Sequence, residues 1–390
     1  MPLPPAPPAD GKLLEASLLA MQRRLGVRFT AGNEVRILRD GEEAFPAMLS
    51  AIQEAKQRIL FEAYIFRHDR TGVRFFEALL EKARAGVPVY ILHDAVGSAE
   101  AWELFDLLQA AGAQCAEANP IRFLKRFRRW HNRDHRKILV VDGDAGFLGG
   151  INVGDEYVEP GPNRPFRDTH LEIRGPAARH LETAFFDVWN TEAGGKLKGT
   201  AHSSPAPGEA RVLILAETFR RYTRHLRHLH LTAFKSATRR IWITNAYFVP
   251  DHQIRKAILA AAKRGVDVRI ILPGPIDVPV VRWAAHSLYG VMLKAGVRIY
   301  EYQPRMLHAK SVVIDDECAL VGSTNLDHRS FYHNLEVQSL VLDEKLTADL
   351  AAHFERDLSE SLPITKETIQ GWPKLLRLFY QFFYLFKRWL

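Results

Sequence analysis

The sequence predicts an α/β fold: two like domains in tandem, related by a pseudo-twofold axis, with the active site at their interface. Three observations predict it. Strand-like and helix-like stretches alternate along most of the 390 residues, the pattern of layered α/β proteins. The order of stretches in the first half recurs in the second at offsets between about 173 and 184 residues, which marks an internal duplication. A seam rich in Gly, Ser and Pro separates the halves. The expected division is a Pro-rich segment and lead-in helix over 1–29, a first domain over 30–193, a linker over 194–209, a second domain over 210–360 and an amphipathic segment over 361–390.

In chain order, residues 1–11 are proline-rich and predict no regular structure, and Leu13 to Leu25 has helical spacing. Val35–Leu38 reads as a strand, Ala44–Lys56 as a helix, and Arg58–Phe66 as a strand. Phe75–Ala85 is a helix stopped by Gly86, Val87–Leu92 a strand, and Ala101–Ala111 a helix stopped by Gly112. In the second half Val212–Leu215, Arg240–Tyr247 and Val266–Leu272 match the first three strands. Helices stop at Gly265 and Gly296, and Val297–Tyr300 is one more strand.

Each half then carries one copy of the same stretch: His135-Arg-Lys-Ile-Leu-Val-Val-Asp142 and His308-Ala-Lys-Ser-Val-Val-Ile-Asp315. Small pairs follow at a common offset, Gly149-Gly150 and Gly322-Ser323, and then Asn152 and Asn325. The β-branched runs ending at Asp-Gly or Asp-Asp read as buried strands entering turns. Side chains two apart on a strand share a face, so His135 projects with Lys137 and His308 with Lys310. Periodicity alone leaves Asp142 and Asp315 at the strand ends, bonding turn backbone. One imidazole can attack phosphorus while the other protonates the leaving oxygen. The two lysines, with Asn152, Asn325 and the backbone after the strands, can hold the phosphoryl oxygens. The scheme needs no metal and no cofactor.

With G-G-I-N-V and G-S-T-N-L-D-H-R-S-F-Y-H-N-L-E after them, these stretches resemble the phospholipase D superfamily. Ala-Tyr-Ile-Phe at 63–66, Asn-Ala-Tyr-Phe-Val-Pro at 245–250 and Arg-Asp-Thr-His at 167–170 resemble its bacterial cardiolipin synthase branch, in a short form without N-terminal transmembrane helices. The resemblance covers roughly residues 30 to 360 and implies two tandem phospholipase D-like domains. It implies that His135, Lys137, Asp142, His308, Lys310 and Asp315 form the catalytic set, with Gly150, Ser323, Asn152 and Asn325 at the substrate. It also implies that Glu336 and Asp168 are the acids orienting the imidazoles, Asp168 with a shorter reach. The implied activity is phosphatidyl transfer between two phosphatidylglycerol molecules through a phosphohistidine. The residues leave open which histidine attacks; the resemblance favours His135.

The net charge of +8 and 47% apolar content fit a globular protein with a polyanionic partner. Cys115 and Cys318 make no disulfide framework or metal spacing. No signal peptide and no transmembrane run are read. Two stretches lack a partner in the repeat. Ile121–Trp130 interleaves basic residues with Phe123, Phe127 and Trp130; it reads equally as a lip for a phosphate-rich surface or as a solvated helix. Pro373–Leu390 places Lys374, Arg377, Gln381, Tyr384 and Arg388 on one stripe of a bulky apolar helix. It is read as lying in a bilayer interface, against the alternative of docking on the protein or another subunit. Arg220–His230 reads as a basic surface helix rather than a metal site, and Arg167 and Arg174 are possible headgroup contacts.

The expected partners are therefore an anionic phospholipid membrane and phosphatidylglycerol, at the cytoplasmic face, with no nucleic acid and no oligomeric state specified. Competing readings are a phospholipid hydrolase with water as acceptor, a nuclease, and a scaffold with a dead site. The apolar tail speaks against the nuclease, and intact His, Lys and Asn in both copies speak against the scaffold.

Overall fold

The computed structural model describes residues 12–120, 132–158, 165–199, 205–218 and 224–389. The first half contains α1 (Lys12–Leu25), β1 (Thr30–Arg39), α2 (Asp40–Glu54), β2 (Ile59–Ala63), α3 (Arg70–Arg84) and β3 (Val89–Asp94). It continues with α4 (Trp102–Ala110), β4 (Gln114–Ala118), β5 (Ile138–Val141), β6 (Ala145–Gly149), β7 (Thr169–Arg174) and α5 (Ala178–Glu192). The second half contains β8 (Ala210–Ala216), α6 (His225–Ser236), β9 (Arg240–Asn245), α7 (His252–Lys263), β10 (Asp267–Pro273), α8 (Pro279–Lys294) and β11 (Arg298–Tyr302). Then come β12 (Lys310–Ile314), β13 (Cys318–Gly322), α9 (His328–Tyr332), β14 (Val337–Leu342), α10 (Glu344–Ser359), β15 (Ser361–Ile364), α11 (Lys366–Gly371) and α12 (Lys374–Leu385).

Among the described residues the strands join in one fifteen-stranded sheet, β15-β11-β10-β9-β12-β13-β14-β8-β1-β7-β6-β5-β2-β3-β4. Outward from its centre, β1-β7-β6-β5-β2-β3-β4 repeats as β8-β14-β13-β12-β9-β10-β11. At the seam β1 and β8 pair antiparallel through Thr30–Val212 and Asn33–Ala210, and the Asn33 amide donates to the Ala210 carbonyl at 3.1 Å. The two strands that follow His135 and His308 occupy equivalent places: β5 runs antiparallel between β2 and β6, and β12 between β9 and β13. Both are buried along their whole length, which is why they read as unbroken aliphatic runs rather than alternating ones.

Three large apolar cores lie among the described residues, with a small cluster of Val249, Val281 and Ala284 beside them. One lies under α2, α3 and α4 in the first half. Another lies in the second half under α6, α7 and α8. The third is shared: Leu148, Leu171 and Ile173 of the first half pack in one cluster with Trp242, Val313 and Val321 of the second. A buried ionic network also crosses between halves. Arg167 Nε donates to both Asp357 oxygens at 3.0 Å, and Arg305 reaches Asp40 at 2.6 Å. The Arg167 side chain is almost fully buried in it, so it is a joint between halves, a matter the sequence left undecided. Arg174 donates to Glu172 at 2.8 Å.

Several expectations need correction. The lead-in helix α1 is no separate segment: Leu14, Leu18 and Met21 are buried in the second half's core. The first half has a fourth strand, β4, that was not expected, because Gln-Cys-Ala-Glu-Ala lacks β-branched residues. Residues 361–364 form β15 on the edge strand β11, so the second half's sheet extends past 360. Helix α6 buries Arg227 and His230, so it is not simply a basic surface helix; residues 219–223 of that run lie outside the described residues, as does the basic and aromatic stretch 121–130.

Helix α12 divides its apolar residues between two faces. Phe379 and Phe383 pack on Trp283 of α8, with ring centroids 5.0 and 4.9 Å apart, and Tyr384 accepts from Arg255 at 2.8 Å. Leu375, Leu378, Phe382, Leu385, Phe386 and Trp389 remain exposed. Docking on the protein and an outward apolar face therefore coexist. Among the described residues no helix is long and apolar enough to cross a membrane.

Candidate active site

His135 and His308 stand just ahead of β5 and β12, where two short parallel bridges tie each to the other half. The His135 amide donates to the Leu335 carbonyl at 3.0 Å, and the His308 amide to the Arg167 carbonyl at 2.7 Å. The next residue in each partner segment is an acid. His135 Nδ1 lies 3.0 and 3.1 Å from the Glu336 oxygens, and His308 Nδ1 lies 2.7 Å from Asp168 Oδ2. The acids are thus crossed: each histidine is held by a carboxylate from the opposite half. A carboxylate on Nδ1 fixes the ring and leaves Nε2 as the reactive nitrogen.

Each lysine is tied to the backbone of its own histidine. Lys137 Nζ donates to the His135 carbonyl at 2.6 Å, and Lys310 Nζ donates to the His308 carbonyl. Asn152 and Asn325 border the cavity. The Asn152 side chain accepts from the Ile65 amide at 3.3 Å and donates to the Tyr157 hydroxyl at 3.0 Å. Gly150 and Ser323, expected at the substrate, instead seat the acids. A Cβ at Gly150 would stand 2.2 Å from Asp168 Oδ1, and the Ser323 hydroxyl donates to Glu336.

Asp142 and Asp315, expected in the catalytic set, do not line the cavity and lie at turns. Each follows the far end of its strand, roughly 20 Å along extended chain from its histidine. Asp142 accepts from the backbone amides of Lys56, Gln57 and Arg58 at 2.7–2.9 Å. Asp315 accepts from the amides of Thr238, Arg239 and Arg240 at 2.7–3.2 Å. Both have a left-handed backbone, φ 54° and 50°, which Asp tolerates better than most residues. They anchor turns, as the periodicity indicated.

Both histidines open on one cavity of about 660 Å³, also lined by Tyr64, Tyr157, Tyr247, Asp277, Arg329 and Trp389. Its electrostatics are unequal on the two sides. Burial, then Lys137, Lys310, His308 and Arg329, holds His135 well below the ordinary imidazole value. Burial pushes its partner Glu336 up to about 7, against the pull of Lys137. His308 is also lowered by burial and Lys310, but Asp168 opposes the shift. Burial would raise Asp168, yet Lys310, His308 and the Thr169 amide outweigh it and keep that carboxyl below its usual range. Burial brings Lys137 to about 7 and Lys310 to about 8. The His308–Asp168 pair is thus the better able to carry an imidazolium, and His135 the better able to stay neutral.

Several residues at the site escape the sequence reading. The Tyr157 hydroxyl lies 3.2 Å from His308 Nδ1; it sits five positions after Asn152, as Ser330 sits five after Asn325, whose amide donates to the Ser330 hydroxyl at 3.2 Å. That common offset was the available signal. Tyr64 and Tyr247 occupy matching places, with ring centroids 4.8 Å from His135 and 6.2 Å from His308. Arg136 is fully buried and donates to Glu62 at 2.7 Å and to the Ala184 carbonyl at 3.1 Å, so the variable position of the first copy locks β5 in place. Among the described residues no three His, Cys, Asp or Glu side chains are grouped to hold a metal ion.

Comparisons with known proteins bear on the family and the fold. A family model described as cardiolipin synthase, PLD-like domain, matches residues 48–189 and 231–358. A cardiolipin synthase of Geobacillus sp. (strain WCH70) is 38% identical over 372 residues, covering 92% of this chain and 73% of the relative. Cardiolipin synthase A of Pseudomonas aeruginosa (strain LESB58) is 38% identical over 368 residues, covering 90% and 72%. Among solved structures, phosphatidylserine synthase of Haemophilus influenzae Rd KW20 superposes with a TM-score of 0.71 at 15% identity, covering 97% of this chain and all of that one. That last likeness speaks to the fold alone.

Proposed function

Because the chain belongs to the cardiolipin synthase family of phospholipase D-like proteins, we propose that it transfers a phosphatidyl group between two phosphatidylglycerol molecules and releases glycerol. The observation that carries the reading is the crossed pairing of two histidines and two acids around one cavity. Each half alone lacks an oriented imidazole; together they supply a nucleophile and an acid.

In the first step His135 Nε2 attacks the phosphorus of one phosphatidylglycerol. The bond to the glycerol oxygen breaks as the His308 imidazolium protonates that oxygen, and glycerol leaves neutral. The phosphatidyl group is then bonded to His135. In the second step His308, now neutral, takes the proton from a hydroxyl of a second phosphatidylglycerol. That oxygen attacks phosphorus, the N–P bond breaks, and both histidines regain their starting protonation. Lys137 and Lys310, with Asn152 and Asn325, balance the phosphoryl charge in the water-poor interior. The exposed apolar face of α12 adjoins the cavity through Trp389. It seats the enzyme in the interface of an anionic bilayer, on the cytoplasmic face, where the acceptor is a lipid hydroxyl rather than water.

The test is a product assay on purified protein with labelled phosphatidylglycerol vesicles. Cardiolipin and glycerol are expected in equal amounts, both lost in His308→Ala. Phosphatidic acid as the main product would make water the acceptor and the enzyme a hydrolase.

A further inference from the structure

A second cavity, of about 400 Å³, adjoins the catalytic one. It is lined by His328, Arg329, His333, Arg388 and Trp389. Arg329 and Trp389 also line the catalytic cavity, so the two spaces share a wall. Two histidines and two arginines are thus among the residues around this space. His328 stacks on Tyr332 with ring centroids 4.4 Å apart, and the His333 ring lies 5.2 Å away. The crowding is felt: burial, His333 and Arg388 push His328 down to about 4. The acid that most opposes this, Asp251, is already held by Arg227 at 2.6 and 3.1 Å.

The reaction proposed above brings a second phosphate, and in the catalytic cavity Arg67 is already held by Glu100 and Glu156. The donor's phosphate occupies the two histidines and two lysines. The acceptor brings a phosphodiester of its own, one glycerol away from the hydroxyl that attacks. Two like charges at that separation repel unless each has its own cations. Arginine is suited to a phosphodiester by its fork of donors.

We propose that the second cavity is the acceptor site, holding the phosphodiester of the incoming phosphatidylglycerol between Arg329, Arg388 and His333. This rests on the reading of the chain as a lipid-to-lipid transferase. Arg388 and Trp389 follow α12, so the segment that meets the membrane also completes the pocket for the second lipid. A lipid entering along the exposed face of α12 arrives with its headgroup beside Arg388. Arg388 is thereby a specificity residue: it selects an anionic lipid over free glycerol or water as acceptor.

The test compares two reactions of the full chain in neutral-detergent micelles, where anchoring to a bilayer plays no part. One is cardiolipin formation; the other is exchange of labelled free glycerol into phosphatidylglycerol, whose acceptor carries no phosphate. Arg388→Ala is expected to lower the ratio of cardiolipin formation to exchange about tenfold, through a raised KM for the acceptor lipid. Arg388→Lys should restore much of that ratio, and His333→Gln should lower it, which guards against a misfolded variant. An unchanged ratio, or an equal fall in both reactions, would overturn the proposal. So would inorganic phosphate inhibiting both wild-type reactions alike but not Arg388→Ala, which would make the cavity a site for free phosphate. A wild-type protein showing neither reaction would instead refute the transferase reading itself.

Discussion

Asp142→Asn separates the structural part of the duplicated motif from its chemical part. Asp142 accepts three backbone amides, from Lys56, Gln57 and Arg58. A charge-assisted bond contributes about 1.5–3 kcal/mol when buried, but exposure at this turn reduces each to roughly 0.5–1 kcal/mol. Asparagine keeps one accepting oxygen and tolerates the φ of 54°, so the loss is about 1–2 kcal/mol. Alanine loses all three bonds and adds about 1 kcal/mol of left-handed strain, for about 2.5–4 kcal/mol in total. With unfolding entropy scaling with chain length, Asp142→Asn lowers Tm by about 1–3 °C. The assay is phosphatidyl transfer per folded molecule, with thermal melts of the same samples. Asp142→Asn should keep kcat within about twofold, because its carboxylate touches turn backbone and not the cavity. A variant that melts within 3 °C of wild type yet loses about a hundredfold in kcat would refute the reasoning.

Other predictions follow from the same geometry. Glu336→Gln should leave the fold intact but lower kcat by about 10²–10⁴, by analogy with triads whose orienting acid is made neutral; a loss below threefold in transfer assays would remove Glu336 from the mechanism. The pH profile should be bell-shaped, with its alkaline limb set by His308. Its folded value is lowered, so in the free enzyme the needed proton is lost as pH rises, below the ordinary value of about 6.5. A bound phosphate raises that value, so the alkaline limb of kcat should lie at higher pH than that of kcat/KM, and coincident limbs would count against the assignment. Replacing Leu375, Leu378, Phe382 and Leu385 by Gln should weaken vesicle binding about a hundredfold or more while sparing turnover in micelles. Unchanged vesicle sedimentation would return the exposed face of α12 to some other partner.

The pattern of elements is legible because strands and helices here are marked by local physics. The aliphatic runs after His135 and His308 are central strands, and Gly86 and Gly265 stop helices at φ 82° and 92°. His135 and His308 are legible as a pair because the motif is duplicated. What the sequence hides is long-range. That Glu336 reaches His135 across 201 residues and Asp168 reaches His308 across 140 depends on how the halves face each other. No spacing encodes that α1 packs on the second half. Helix α12 shows one broad apolar face in sequence, and only packing divides it between Trp283 and the exterior. Asp168 sits where a Cβ at Gly150 would stand 2.2 Å from its Oδ1; a motif alone says nothing of that fit.

In the proposed mechanism His135 becomes phosphatidylated while His308 handles the proton. The most direct measurement is a single turnover with phosphorus-labelled phosphatidylglycerol, quenched in alkali to preserve phosphohistidine, followed by peptide mapping. Label is expected on His135 within the first turnover, chased into cardiolipin when more phosphatidylglycerol is added. Label on His308, or cardiolipin formed with no label on the protein at any time, would contradict it.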